Sequence, residues 1–286
     1  MSIRDELGTR MKTFYEAVPD TKLVKRMPVA IRIDGKAFHT FTQGFKRPFD
    51  EVLIKTMQQT TKYLCENIQG CVFGFTQSDE ITLILIDYQK LTSSAWFDYE
   101  VQKLSSISAS MATMAFNKYF AENVANEILE YKTSMVPQCV EIQQEVKEYH
   151  DTLRAAVNKG AMFDARCFNI PKEEVTNLIY WRQLDAARNS VQMVGQANFS
   201  HKELQNKSCN MIQDMLHEQK GINWNDFPVD CKRGAAVIKK KIGTNIAAAC
   251  GIAGATYENR WVIDCNMPIL KGEDRAYVDD LVYIGE

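Results

Sequence analysis

The sequence predicts an α+β fold in which helices cover an antiparallel sheet. Three observations predict it. Short β-branched runs bounded by turn residues occur at 29–34 (VAIRID) and 71–87 (CVFGFTQSDEITLILID). Longer stretches with helical spacing of apolar residues separate them. The resulting order is strand, helix, hairpin, helix, strand, then helices, which suits an antiparallel sheet covered on one face.

The elements follow in turn. Residues 1–20 read as an amphipathic helix, with Leu7, Met11, Phe14 and Tyr15 at near-helical spacing. Val29 to Asp34 is a strand between Pro28 and Gly35. Phe49 to Asn67 is helical, and the runs on either side of Thr76–Asp79 form a hairpin. Asp98 to Asn126 is a long helix rich in Ala, Ser and Met, and 136–157 a charged helical insertion. Met162 to Ile170 is a strand; Glu173 to Gln196 and Lys202 to Gln219 are helices. Lys232 to Lys241 has a strand-like centre with cations at both ends, and Trp261 to Cys265 is one more strand. The acidic tail from Lys271 lacks a core pattern, so it is expected to be mobile or to dock on a partner subunit. Phe38, Phe41, Phe45, Trp181, Trp224 and Trp261 are assigned to packing, and His150, His201 and His217 to the surface.

Composition narrows the class. Of 286 residues, 45% are apolar and 24% charged, as in ordinary globular proteins. No run approaches the roughly 18 apolar residues of a membrane span, and the N-terminus has no apolar signal region. The eight cysteines are scattered with no CxxC pair, which argues against a zinc or redox motif and for reduced thiols in a cytoplasmic protein. A net charge of −2 requires any nucleic-acid-binding charge to be local, and leaves acids free for a metal.

Two acidic positions carry the chemistry. Asp34 ends VAIRID and is followed by Gly35; Asp79 and Glu80 sit at the hairpin turn. A strand end and a neighbouring hairpin can bring these carboxylates together. Mg²⁺ is held by one or two carboxylates plus phosphates. Two such ions about 4 Å apart stabilise the attacking and leaving oxygens of phosphoryl transfer. Gly35 lets the backbone approach, and its carbonyl can serve as a ligand. Asp-Gly and Ser-Asp-Glu are also ordinary turn sequences, so spacing alone leaves both readings open. Polymerase palms and nucleotide cyclases share this layout. The next segment, GKAFHTFTQGFKRPFD, carries Lys36, Lys46 and Arg47. Its N–H groups can cradle a triphosphate and its cations can neutralise one; a solvated basic loop is the plain alternative.

RIDGKAFHTFT (32–42), FKRPFD (45–50), QSDEITLIL (77–85), FDAR (163–166) and WRQLDAARNSV (181–191) together resemble the tRNA(His) guanylyltransferase superfamily. The likeness runs in order over about residues 28–245. It implies a polymerase-palm-like catalytic domain at 1–245, with a C-terminal extension at 246–286, that extends RNA in the 3′→5′ direction. It implies that Asp34, the Gly35 carbonyl and Asp79 hold two Mg²⁺ ions, with Glu80 the adjoining catalytic acid. The backbone of Lys36, Ala37, Phe38 and His39 matches the triphosphate turn. Arg47, Asp50, Ser78 and Lys103 match nucleotide- or 5′-end-binding positions, Arg47 replacing the family's lysine.

One departure matters. Members that add G to tRNA(His) carry His-Ile-Asn-Asn-Leu-Tyr after the WRQ segment, whereas here 187–192 reads ARNSVQ. The resemblance therefore moves to the bacterial and archaeal like proteins, which repair 5′-truncated tRNA on a template. It implies tRNA as partner, ATP and GTP or other NTPs as substrates, and a homotetramer. Arg188, Asn189, Lys232 and Arg233 are the expected RNA contacts. Lys239, Lys240 and Lys241 either extend that grip or protect a sheet edge. The alternatives are a single-G tRNA(His) guanylyltransferase, a cyclase-like palm, and a palm that binds nucleotide and RNA without catalysis.

Overall fold

The computed structural model describes residues 3–133, 140–243 and 256–284. The strands are β1 (Val29–Gly35), β2 (Cys71–Gln77), β3 (Glu80–Leu85), β4 (Phe163–Asn169), β5 (Ala235–Gly243) and β6 (Tyr257–Asp264). They form one antiparallel sheet in the order β4-β1-β3-β2-β5-β6. The helices are α1 (Ile3–Met11), α2 (Phe38–Phe41), α3 (Glu51–Asn67), α4 (Val101–Thr133), α5 (Val140–Lys159), α6 (Lys172–Asn198), α7 (His201–Leu204), α8 (Cys209–Lys220), α9 (Val229–Arg233) and α10 (Ala276–Val282). The α+β class is the one the sequence predicts. Among the described residues no helix is long and apolar enough to cross a membrane.

Helices cover both faces of the sheet, not one. On the first face Ile31, Ile33, Leu83 and Phe163 pack against Met57 and Leu64 of α3 and Leu104, Phe116 and Phe120 of α4. On the second, Ala30, Phe73, Phe75, Ile84 and Ala236 pack against Val175 and Ile179 of α6 and Val278 and Val282 of α10. The reason lies in β2, CVFGFTQ, which is buried at every position. A strand without polar alternation has no face to give to water. Between α3 and α4, the buried Asn123 amide donates to Thr56 Oγ1 (3.0 Å) and Gln59 Oε1 (2.7 Å), satisfying polar groups that the core would otherwise strand.

Several expectations need correction. The N-terminal helix stops at Met11 and continues as a π-helical turn over Lys12–Glu16, with Leu7, Met11, Phe14 and Tyr15 exposed. The single helix expected over 202–219 is two, because Ser200 and Ser208 each cap a new start. The insertion is α5, and 134–139 lie outside the described residues. Lys232 and Arg233 lie on α9, not on a strand. Between α9 and β5, Gly234 has φ +81°, and a Cβ there would sit 2.6 Å from the Thr76 carbonyl oxygen. Strand β5 is interior, with β6 outside it, so Lys239–Lys241 do not guard an edge. Lys240 pairs with Asp264 at 2.9 Å, and Lys239 lies over the Trp261 ring.

The described part of the tail packs into this chain's own core. Val278 and Val282 are fully buried, and Tyr88 Oη donates to the Val282 carbonyl (3.1 Å). The described part of the expected extension thus supplies β6 and α10 to the same sheet and core. Trp261, Phe38, Phe41 and Phe45 are buried as expected, Trp224 is half-buried, and Trp181 is 51% exposed. His150 is buried against Tyr131, not on the surface. The six described cysteines are all free; Cys139 and Cys250 lie outside the described residues.

Candidate active site

The acidic constellation forms at one end of the sheet. Asp34 stands opposite Glu80 on β3 and opposite Asp164 on β4. The Gly35 N–H donates to the Asp79 carbonyl (3.1 Å) and the Lys36 N–H to the Met162 carbonyl (2.8 Å), which ties the strand end down on both sides. Ser78 takes a left-handed φ of +50° as the first of the two turn residues. Its Oγ donates to Asp79 Oδ1 at 3.0 Å. Two stretches 45 residues apart in sequence therefore converge, as the strand and hairpin pattern predicts.

Their electrostatics are unfavourable without a cation. Burial pushes the Asp79 carboxyl up to about 6; the Ser78 and backbone hydrogen bonds oppose this, and the charges of Asp34 and Glu80 add to it. Asp34 is raised as well, by burial first and then by Glu80 and Asp164. Among the described residues no three or more His, Cys, Asp or Glu side chains gather into a metal cage. Two partly desolvated carboxylates beside a strand-end carbonyl are instead a hard-oxygen donor set. That suits Mg²⁺, which leaves most of its coordination to water and substrate.

Glu80 is engaged elsewhere. Its Oε2 lies 2.7 Å from Arg182 Nη2 of α6 and 3.3 Å from Arg32 Nη2, and accepts from Gln77 Nε2 at 3.3 Å. Arg182 is 4% exposed and also pairs with Asp185 at 2.7 Å. The Trp181 ring lies against both guanidiniums, 5.3 Å from Arg32 and 4.4 Å from Arg182. Arg182 thus neutralises the acid next to Asp79 from the opposite layer.

Beside the acids opens a cleft of about 610 Å³. Gly35, Ala37, Phe38, His39, Arg47, Asp50, Ser78 and Asp79 all line it, closed on the far side by Met193 and Gln196 of α6. Ala37 has φ +54° and caps α2. Among the described residues the N–H groups of Ala37, Phe38 and His39 meet no acceptor, whereas that of Lys36 is spent on Met162. Of the four N–H groups of the expected turn, three are therefore left without an acceptor among the described residues. Phe38, Phe41 and Phe45 bolt the segment onto Phe116, Phe120 and Phe163, with ring centroids 5.2 to 5.9 Å apart across the two groups. Such pairs contribute about 0.5–1.5 kcal/mol each beyond burial.

The other predicted residues divide. Asp50 caps α3: its carboxylate accepts from the N–H groups of Leu53 and Lys46 (both 3.0 Å) and from Tyr149 Oη (2.9 Å). Lys46 pairs with Glu127, which leaves Arg47 as the cation free of ion pairs among the described residues of the cleft. Lys103 is not brought to the cleft: it pairs with Glu100. It lies three turns of α4, about 15 Å, from Thr113, whose hydroxyl holds the Phe163 end of β4. Arg188 pairs with Asp185, and Asn189 Nδ2 donates to the same carboxylate (3.3 Å). Lys232 is buried, its ammonium on the Asn225 carbonyl. Arg233 is half-buried, with its Nε unpartnered.

Sequence reasoning missed Asp164, Arg182, Met193 and Gln196. The strand FDAR signalled the first: any strand that pairs with β1 in this register sets an acid opposite Asp34. The α6 residues had no such signal, because only the packing of α6 across the sheet end brings them there.

Residues 8–171 match the family described as tRNAHis guanylyltransferase. The chain belongs to that family. It is therefore a nucleotidyltransferase. Among solved structures of this kind, a bacterial tRNA(His) guanylyltransferase-like protein in complex with ATP superimposes with a TM-score of 0.76 at 39% identity, over 98% of this chain and 100% of that one. A second such structure, in complex with GTP, gives 0.73 at 37% identity over the same shares. An uncharacterized protein of Acanthamoeba polyphaga mimivirus is 30% identical over 85% of this chain and 80% of its own. The tRNA(His) guanylyltransferase of Saccharomyces cerevisiae is 25% identical over 74% of this chain and 82% of its own.

Proposed function

We propose that this family member adds nucleotides in the 3′→5′ direction to the 5′ end of tRNA, selecting them by pairing with the opposite strand. The observation that carries the reading is the junction of Gly35 and Asp79 with the Ala37–His39 turn in the wall of one cleft, with Asp34 beside them at the end of β1. The turn supplies N–H donors for a triphosphate, and the acids lie where its reacting phosphate would be placed. Repair rather than single-G addition is supported by 187–192, ARNSVQ, which lacks the His-Ile-Asn-Asn-Leu-Tyr of guanylate-adding members. The likeness at 39% identity to a bacterial like protein solved with ATP supports it too.

The chemistry has two displacements. A 5′-phosphate oxygen of the RNA attacks the α-phosphorus of ATP, and pyrophosphate leaves. The 3′-hydroxyl of an incoming NTP then attacks the RNA 5′-phosphorus, and AMP leaves. Asp34, the Gly35 carbonyl and Asp79 would hold Mg²⁺, which when bound lowers the pKa of the attacking hydroxyl and screens the leaving group. Ala37, Phe38 and His39 orient the polyphosphate through their N–H groups, and Arg47 meets its outer charge. Arg182 engages Glu80 away from the donor set, and because both attacking groups belong to the substrates, positioning and charge carry the catalysis without a covalent enzyme intermediate. Self-association into a tetramer belongs to the same reading, and the exposed Leu7, Phe14, Tyr15 and Val18 support it.

The test is transfer from α-labelled NTPs to 5′-truncated tRNAs in Mg²⁺. Several templated additions on tRNAs other than tRNA(His) are expected. A single G confined to tRNA(His), or NTP conversion without RNA, would refute the repair reading.

A further inference from the structure

A second cavity of about 580 Å³ adjoins the catalytic cleft, between the end of α6, α7 and the start of α8. The two cavities share Arg47 and Gln196 in their walls, so they form one path. The second carries three potential cations, Arg47, His201 and Lys207, and four amide side chains, among them Gln192 and Gln196. Among the described residues no carboxylate lines it. Among the described residues none of the three basic groups has an ion-pair partner, whereas Lys46, Arg166, Arg182 and Arg188 near the site are all paired. The nearest acid in sequence, Glu203, is committed to the capping box of α7, where its carboxylate accepts from Ser200 N (2.8 Å) and Ser200 Oγ (2.6 Å). A polar hollow with unpaired basic groups, amide donors and no acid is complementary to anions.

We propose that this second cavity receives the ribose-phosphate backbone of the RNA strand behind its 5′ end. The inference rests on the reading of the chain as one that acts on tRNA. A second nucleotide fits the chemistry less well. Base recognition is strengthened by stacking on a broad exposed aromatic face. Of the two rings in the wall among the described residues, the phenyl of Phe199 is buried in the α6–α8 core, and only the small imidazole of His201 is exposed. Cations and amides without a broad aromatic platform are the donors that contact phosphate and sugar. The residues first expected to hold RNA leave the task open, since Arg188 is paired and Lys232 is buried.

The experiment measures binding of a fluorescent 5′-truncated tRNA by anisotropy, and of ATP by calorimetry, to the full chain. The variants are Lys207→Ala, His201→Ala and the pair. All the altered side chains are exposed, and Lys202→Ala on the same helix, outside the cavity wall, is the control. The double variant should weaken tRNA binding roughly 5- to 10-fold, and loss of Lys207 should lower the salt slope by about 1. ATP binding and the Lys202→Ala protein should be unaffected. Unchanged tRNA affinity overturns the proposal, and so does a loss confined to ATP, which would make the cavity a nucleotide site. Loss of tRNA binding in the variants, with a wild type that binds tRNA but transfers no nucleotide, would sustain the cavity assignment and sink the proposed function instead.

Discussion

Replacing Asp79 by Asn should abolish nucleotide addition and yet make the metal-free protein more stable. The substitution keeps the shape of the side chain and the oxygen that accepts from Ser78 Oγ. It removes a charge that burial and the neighbouring acids disfavour. Burial lifts the folded-state carboxyl to about 6, from an ordinary aspartate value near 4. The native state thus binds the proton more tightly than the unfolded one, so stability falls as pH rises between these values and stays low above them. At 1.36 kcal/mol per pKa unit the ceiling is about 3 kcal/mol. Asp79 is only half-buried by its surface, so solvent screening brings the expected cost to about 1–1.5 kcal/mol. In a chain of this size that is roughly 2–5 °C in Tm. The assay is thermal melting in EDTA at pH 8 and pH 5. The Asn protein should melt higher at pH 8, and the gap should shrink at pH 5, where wild-type Asp79 is largely protonated. Added Mg²⁺ should raise the Tm of the wild type alone. An Asn variant that melts at or below the wild type at pH 8 in EDTA would refute the reasoning.

Three further outcomes follow from the same geometry. Asp34→Ala should remove nucleotide addition by at least about 100-fold while circular dichroism stays native, because the side chain is half-exposed at a strand end and packs little. Gly35→Ala should cost about 1–3 kcal/mol in urea unfolding together with most activity, because its Cβ would lie 2.2 Å from Phe38 Cδ2, in a ring locked among other phenylalanines. Arg182→Gln should lower stability by about 2–4 kcal/mol in urea unfolding, since it removes the buried counter-charge that Glu80 and Asp185 share and leaves them only Arg32 and Arg188.

The legibility of the chain in its sequence depended on range. Local patterns carried β1, the β2–β3 hairpin, α3 and β4, because β-branched runs and Gly or Ser-Asp turns declare themselves within a few residues. They also carried the meeting of Asp34 with Asp79, since strand alternation and a two-residue turn leave little freedom in register. The second helical layer was legible in principle from the unbroken burial of CVFGFTQ. The burial of Val278 and Val282 was not, because a seven-residue helix shows too little periodicity to read. Charge partners were the least legible. Nothing local distinguishes Arg47, which has no ion pair among the described residues, from Lys46, which Glu127 claims from 81 residues away. Likewise Arg188 looked like an RNA contact until the helix turned Asp185 towards it.

Helix α6 explains why these long-range features belong together. Its first turns, through Val175 and Ile179, fix it to the sheet. Three residues after Ile179, Arg182 reaches across to Glu80, so the register of α6 is locked to the strand that carries the acids. Further along, Met193 and Gln196 wall the cleft beside the acids, and Gln192 and Gln196 wall the second cavity. A rigid helix pinned at the acidic end thus sets the width of both cavities. A slip at the Arg182 anchor would be felt over 14 residues, about 21 Å of helix. Loss of Arg182 should therefore weaken RNA binding as well as stability, a coupling that a purely local salt bridge would not produce.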